Sequence, residues 1–469
     1  MRIAAWVLAL LLPVSGVAAP HGLPRTVADA LKRAAVPLDA VSAVVEPVEG
    51  GRPLVSLNAD APMNPASVMK LVTSFAALDL LGPAFRFHTE VLLAGPLDDG
   101  VLQGDLVIRG GGDPQLTYER LWQLAHALRS RGLREIRGDI VIDRAYFAPA
   151  PFDPGRFDNE PRRGYNVGAD AFLVNFDAVQ FAFTPGGEGV RVSAEPDLPN
   201  VEVASRVHAT PGPCGAWRKD IAYDVQQNGL LVLVTFTGSM PAECGEKRLS
   251  LAVLDPAAYT ESLLRWVWSE AGGTLRGKVR QGAAPSGARA FYSAASEPLA
   301  VLVRDMNKYS NNVMARQIFL ALSAEGLGPP GTEAASAGIV REWLASRRID
   351  ATGLAIENGA GLSRDDRITA AALAALLRAA WASRVMPELA ASLPIFAVDG
   401  TLKLRPGAGA AGHAHLKGGT LNGVQSAAGY VLDAKGRRWI VVMMVNHPNG
   451  NAAQPAIDAL VEWTHGEAR

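Results

Sequence analysis

The sequence predicts an α+β protein whose main domain is split in sequence, with a β-rich insertion between its halves. Two observations carry this. The ends of the chain supply matching pieces, strands and long helical patterns, whereas residues 85–279 hold short strands, many Gly and Pro, and both cysteines. The composition, 49% hydrophobic and 19% charged over 469 residues, is that of a packed chain long enough for two or three domains. Lys+Arg 45 against Asp+Glu 46 leaves a net charge of -1. That balance excludes the basic surface a nucleic-acid partner would need.

The elements follow in order. The start, MRIAAWVLALLLPVSGVAAP, has a positive Arg2, an apolar run over 6–12 and small residues over 16–19. It reads as a secretory signal peptide over 1–19. The run is too short for a permanent span, and no other run approaches about 18 apolar residues. An exported, soluble, periplasmic protein without a stable transmembrane anchor is therefore expected. The valine-rich stretch 41–45, the Gly50-Gly51 turn and 53–57 form a hairpin. A nearly all-apolar helix follows from Asn64 and Pro65. In the middle, GDLVIRGGGDP, IRGDIVID and LLVLVTFTG read as strands, and residues 117–132 as a helix. Near the end, 426–432 and 437–445 read as strands around DAKG, and 456–464 as a helix. The two cysteines of an exported chain, Cys214 and Cys244, read as a disulfide. Closing that loop contributes roughly 3–4 kcal/mol in the chain-entropy model.

The chemistry starts in the apolar helix. Ser67 falls in its first turn, where backbone N–H groups lack intrahelical partners and can point at an oxyanion. Lys70 is at i+3, on the same side. A helix apolar all round is buried, and a buried amine loses solvation, so its pKa falls. A neutral amine beside a hydroxyl is a general base. Ser67 thus reads as nucleophile and Lys70 as base. A Ser-x-x-Lys triplet arises about once by chance in a chain this long, given usual residue frequencies, so further motifs must decide. Two exist. Ser310-Asn311-Asn312 precedes a helix, and Lys417-Gly418-Gly419-Thr420 lies at a strand. Serine plus lysine, Ser-x-Asn, then a basic residue with glycines is the pattern of penicillin-recognising serine hydrolases. In it Ser310 relays protons between Lys70 and the leaving group, and Asn312 offers an amide to the substrate. Lys417 depresses the Lys70 pKa and attracts a carboxylate. A second Ser-x-Asn, Ser56-Leu57-Asn58, sits in the hairpin.

With PASVMKLVT, GGGDPQLT, GDIVIDRAYF, YNVGADAFLVNFDAV, MNKYSNNVMARQ and ENGAGLSRDDRIT, the chain resembles a class C, type-4 penicillin-binding protein over nearly its whole mature length. The resemblance implies a penicillin-binding/β-lactamase-like transpeptidase fold, an antiparallel sheet flanked by helices and interrupted by two smaller β-rich domains. It places the DD-peptidase domain at 20–83 and 283–469, one inserted domain at 84–104 and 166–282, and a nested one at 105–165. It implies a D-alanyl-D-alanine carboxypeptidase/endopeptidase acting on peptidoglycan stem peptides, with β-lactams as covalent inhibitors and no cofactor or metal. Ser67, Lys70, Ser310, Asn312 and Lys417 are then catalytic, and Gly418, Gly419 and Thr420 bind substrate. The N–H groups of Ser67 and Thr420 form the oxyanion hole. Homodimerisation is left open. Gly418 departs from the family's threonine, and Ala360 in NGAGLSR from its serine. The alternatives are a β-lactamase-like hydrolase and a catalytically weak peptidoglycan-binding scaffold.

Other signals lack context. The run Gly407 to Gly412 spells a dinucleotide fingerprint, but no strand precedes it and no helix follows. His413 and His415 have no carboxylate or cysteine nearby in sequence and are expected to face solvent.

Overall fold

A computed structural model describes residues 22–187, 189–229 and 231–467. The expected signal segment lies outside them. The central sheet is antiparallel, in the order Ala414–Leu421, Val424–Leu432, Arg438–Asn446, Val41–Pro47, Val55–Leu57. It joins the two ends of the chain: Val44 pairs with Val442. Its strands read as unbroken apolar runs because both faces are covered. Val41, Ala43 and Val45 pack with Val441 and Met443 in one core, under the helices Arg25–Arg33 and Gln454–Glu467. Val44, Val442 and Met444 face a second core, built on the helices Lys70–Leu80, Asn312–Leu327 and Ala370–Trp381. The side-chain period of two splits each strand between the cores.

The helix Lys70–Leu80 is buried from Lys70 through Leu78, as its composition requires. The hairpin, the terminal strands and the terminal helix form where the sequence places them, within two or three residues. The middle helix runs Tyr118–Ser130.

The insertion is divided differently from the expected boundaries. Strand Asp105–Arg109 pairs with His88–Ala94, and Ile140–Asp143 runs parallel to both Asp105–Arg109 and Val279–Gln281. A boundary at 104/105 would cut through that sheet. The near module therefore combines 88–143 with 256–295, including the helix Pro256–Glu270. The far module, sheets of Val179–Gly186, Gly189–Glu195 and Lys247–Leu251 and of Val201–Thr210, Ile221–Asn228 and Leu231–Pro241, is the nested one. Arg289–Ala295 pairs with His88–Ala94, so the main domain resumes at the helix Leu299–Tyr309 rather than at 283. Parallel partners far apart in sequence leave no local turn to read. Cys214 and Cys244 are bonded, S–S 2.08 Å, in the far module. No helix among the described residues is long and apolar enough to cross a membrane.

Candidate active site

Ser67 sits in the 3-10 turn Ala66–Met69, which leads into the helix of Lys70. Asn64 shapes the approach: its Oδ1 accepts from the Ala66 N–H at 2.9 Å and its Nδ2 donates to the Ser363 carbonyl at 2.8 Å. Asn446, at the end of a central strand, holds the Asn64 backbone N–H and C=O at 2.8 and 3.0 Å. The nucleophile is thereby fixed to the sheet. Ala66 takes a positive φ of 48°.

Lys70 is wholly buried, and its Nζ has three partners: Ser67 Oγ at 3.1 Å, Asn312 Oδ1 at 2.7 Å and the Ala360 carbonyl at 2.6 Å. Burial pushes its pKa well below the ordinary lysine value, and the charges of Lys417 and Arg316 push it further; Asp366 opposes them. Both effects run in the direction expected of a desolvated amine near a second lysine. Arg316 is itself buried and lowered to about 10 by that burial.

Ser310 ends the helix Leu299–Tyr309 in the left-handed region, φ 55°, and Asn311 caps the next helix by accepting from the Met314 N–H at 3.0 Å. The sharp turn between the two helices aims Ser310 and Asn312 at the same centre. Ser310 Oγ accepts from Lys417 Nζ at 2.8 Å. Ser310, the expected relay, is thus held by Lys417, where a contact with Lys70 was expected. Lys417 is also wholly buried and pushed down to about 7 by that burial.

The strand Ala414–Leu421 is an edge of the sheet; its first three residues pair outward with Pro394–Phe396, and among the described residues no strand pairs outward with it beyond Leu416. Gly419 presses on the nucleophile: a Cβ there would stand 2.6 Å from the Pro65 carbonyl and 2.9 Å from Ser67 N. At Gly418 the nearest atom would be 3.7 Å away, so the missing threonine leaves open room. The Thr420 side chain is exposed and its hydroxyl donates to Gln425 Oε1 at 3.2 Å. Five expected catalytic residues and the glycine strand therefore meet at one place.

Sequence reasoning missed two contributors. The Ala360 side chain is buried in the core while its carbonyl takes the Lys70 proton donor, so the family's serine hydroxyl is not needed for this contact. The signal was the pair of flanking glycines. Gly359 and Gly361 both have positive φ, and a Cβ on Gly361 would strike the Ala66 carbonyl at 1.9 Å. Asp366, in the same motif, is buried, accepts from the Glu357 N–H at 2.8 Å and is pushed up to about 7 by burial.

The remaining candidates lie outside this centre. Asn58 of the second Ser-x-Asn ties the hairpin by donating to the Leu38 and Val41 carbonyls at 2.9 and 2.8 Å. In the glycine loop, the N–H groups of Ala408, Gly409 and Ala410 converge on the Glu462 carboxylate at 2.9, 3.0 and 3.1 Å, so this cradle already holds an anion. His413 is exposed and stacks on His465, but His415 is half-buried against the Ala390 carbonyl, contrary to expectation. Its place in the edge strand turns it inward.

A serine in a tight turn, a buried lysine one turn on, a Ser-x-Asn corner and a lysine on a glycine-bearing edge strand define a penicillin-recognising serine hydrolase. The comparisons with known proteins narrow this. Residues 23–466 match the model of the D-Ala-D-Ala carboxypeptidase 3 (S13) family. The chain is 30% identical over 434 residues to a D-alanyl-D-alanine carboxypeptidase of an Actinomadura species, covering 88% of this chain and 79% of the relative. It is 26% identical to a D-alanyl-D-alanine carboxypeptidase of Haemophilus influenzae, over 84% and 82% of the two chains. The crystal structure of penicillin-binding protein 4 from Haemophilus influenzae superposes with a TM-score of 0.73 at 23% identity, covering 93% of this chain and 99% of that one. The chain belongs to the D-Ala-D-Ala carboxypeptidase 3 (S13) family, the class C, type-4 penicillin-binding proteins.

Proposed function

We propose that this serine DD-peptidase acts through an acyl-enzyme on Ser67, releasing the terminal D-Ala of peptidoglycan stem peptides, cutting D-Ala–diaminopimelate cross-links, or both. The observation that carries the assignment is Lys70, wholly buried 3.1 Å from the Ser67 hydroxyl and depressed in pKa by burial and by a second lysine. The substrate lies along residues 417–421 of the edge strand as an added strand. Neutral Lys70 takes the Ser67 proton, and Oγ attacks the penultimate D-Ala carbonyl. The N–H groups of Ser67 and Thr420 stabilise the oxyanion. The C–N bond then breaks as the proton that Lys70 took passes to the leaving amine through Ser310, which Lys417 orients, and Lys70 is neutral again. Water hydrolyses the ester with Lys70 again as base. Lys417 attracts the terminal carboxylate, helped by the Thr420 hydroxyl in place of the absent residue-418 hydroxyl. β-Lactams acylate the same serine. The site of action is the periplasm, reached by the amino-terminal signal.

Intact mass after penicillin tests this reading. A long-lived adduct on Ser67 is expected. Rapid loss of adduct with turnover would make the protein a β-lactamase. No adduct, with muropeptide binding retained, would leave the scaffold.

A further inference from the structure

A cleft of about 760 Å³ leads away from the Ser310–Asn312 corner and runs under the far inserted module. One wall is residues 309–313, and the other carries Arg163, Arg218 and Arg248. The three guanidinium groups are not equivalent. Arg248 is saturated, donating to Gln180 Oε1, Glu195 and Glu246 at 2.6, 3.0 and 3.0 Å. Glu195, which lines the same cleft with Glu119, shares the Arg248 charge with Glu246. Arg163 has one carboxylate, Glu160, at 3.4 Å and half-exposed, a contact that water largely screens. Arg218 donates to the Arg248 carbonyl at 3.2 Å, and among the described residues no carboxylate lies within ion-pair distance of it.

Arg218 is nevertheless well placed. Its guanidinium lies 5.7 Å from the ring centre of Trp217, which is buried against Phe183 at 5.5 Å. The Cys214–Cys244 bond anchors the loop three residues before Trp217. Arg163 and Arg218 line the same cleft, and burial and then the charge of Arg163 both disfavour the Arg218 cation, so an anion bound beside the two would relieve both effects. At the mouth stands Tyr309, 73% exposed, next to the catalytic Ser310.

Resting on the active-site reading above, we propose that Arg163 and Arg218 form a carboxylate subsite for the second stem peptide of a cross-linked substrate. Beyond the scissile bond a cross-linked substrate carries a whole second peptide with further carboxylates; a single stem carries only the terminal D-Ala carboxylate assigned above to Lys417. Guanidinium groups suit carboxylates because the planar fork donates two parallel hydrogen bonds. The inserted module thereby becomes part of substrate selection, favouring cross-link cleavage over trimming of single stems.

The test uses the full-length protein with Arg163→Gln, Arg218→Gln and the double substitution. Three rates are compared: cleavage of a purified cross-linked muropeptide dimer, release of D-Ala from a short acyl-D-Ala-D-Ala peptide, and acylation by a fluorescent penicillin. The double variant should lose about tenfold or more in kcat/KM on the dimer, the scale of one charge-assisted hydrogen bond. The loss should sit in KM, and Arg218→Lys should restore part of it. The other two rates should stay within about twofold. Amidating the second stem's carboxylates, other than the one beside the scissile bond that Lys417 attracts, should reproduce the loss in the parent protein. A double variant that cleaves the dimer at the parent rate overturns the subsite. So does an equal fall in all three rates, which would mark a structural role. If the parent shows neither acylation nor D-Ala release, the active-site reading fails and takes this inference with it.

Discussion

Replacing each of two adjacent glycines by alanine should give opposite results. At Gly419 an added methyl would stand 2.4 Å from Ser426 Oγ and 2.6 Å from the Pro65 carbonyl, with Ser67 N at 2.9 Å. Ordinary contact for such an atom begins at 3.4 Å. The strand must therefore retreat by about 0.8–1 Å from the turn that holds the nucleophile. Ser426 cannot yield freely, because its hydroxyl already donates to the Pro65 carbonyl at 2.6 Å. A displacement of about 1 Å between nucleophile and substrate costs on the order of 100-fold in rate, and overpacking costs about 1–3 kcal/mol in stability. At Gly418 nothing lies closer than 3.7 Å, so alanine fits without displacement. The assay is the second-order rate of acylation by a chromogenic cephalosporin, paired with a thermal melt. Gly419→Ala should acylate about 100-fold more slowly and melt lower. Gly418→Ala should match the parent in both. Acylation by Gly419→Ala within threefold of the parent would refute the claim that this strand is locked to the Ser67 turn.

Lys70→Arg keeps the charge but cannot deprotonate near neutral pH, so acylation should fall by at least about 100-fold; parent-like acylation would remove Lys70 from the role of base. The pH profile of kcat/KM on a carboxylate-bearing peptide should fall on the basic side with a midpoint about 7, where Lys417 loses its proton, and Lys417→Met should lower the plateau and erase that limb. Asp366→Asn removes a negative charge that raises the Lys70 pKa, so the acid limb of acylation should move to lower pH. In stability the sign is separate. The Asp366 carboxyl is raised from 3.8 to about 7, so its contribution is full below about pH 4 and is lost as pH rises to about 7. Asp366→Asn should then gain on the parent in melting temperature between pH 4 and pH 8, read by calorimetry at both. Replacing Cys214 and Cys244 together by Ala should lower the melting temperature and leave penicillin acylation intact, since the bond lies in the far module.

The side chains that converge at the proposed site were legible in the sequence, because each carries its chemistry in its name. Ser67, Lys70, Asn312 and Lys417 meet as their spacing and setting implied. What acts through the backbone was not. The Ala360 carbonyl is the shortest contact of Lys70, and nothing in the identity of residue 360 announces it. The partner of Ser310 was misread because two buried lysines compete for it and only packing decides. The hairpin 41–57 and the terminal strands were legible because each is closed by a local turn. The nesting of the insertion was not, because Ile140–Asp143 finds its parallel partner Val279–Gln281 across more than a hundred residues of chain.

The central sheet also orders events in time. Strand Val41–Pro47 is an inner strand with one neighbour, Val55–Leu57, beside it in sequence and the other, Arg438–Asn446, almost at the far end of the chain. Emerging in order, the chain exposes the Ser67 turn and the Lys70 helix first; the far module can close from its own segment next, and the near module only once 256–295 has followed. Lys417 and the strand that presses on Ser67 arrive after some four hundred residues. Asn446, which clamps the Asn64 backbone, comes later still. Contacts of such long sequence separation form last. A nascent or truncated chain therefore carries Ser67 and Lys70 without a reactive centre. By the mechanism proposed above, a penicillin adduct on Ser67 should form only once the carboxyl-terminal strands have come home, which would make it a stamp of completed folding as well as of chemistry.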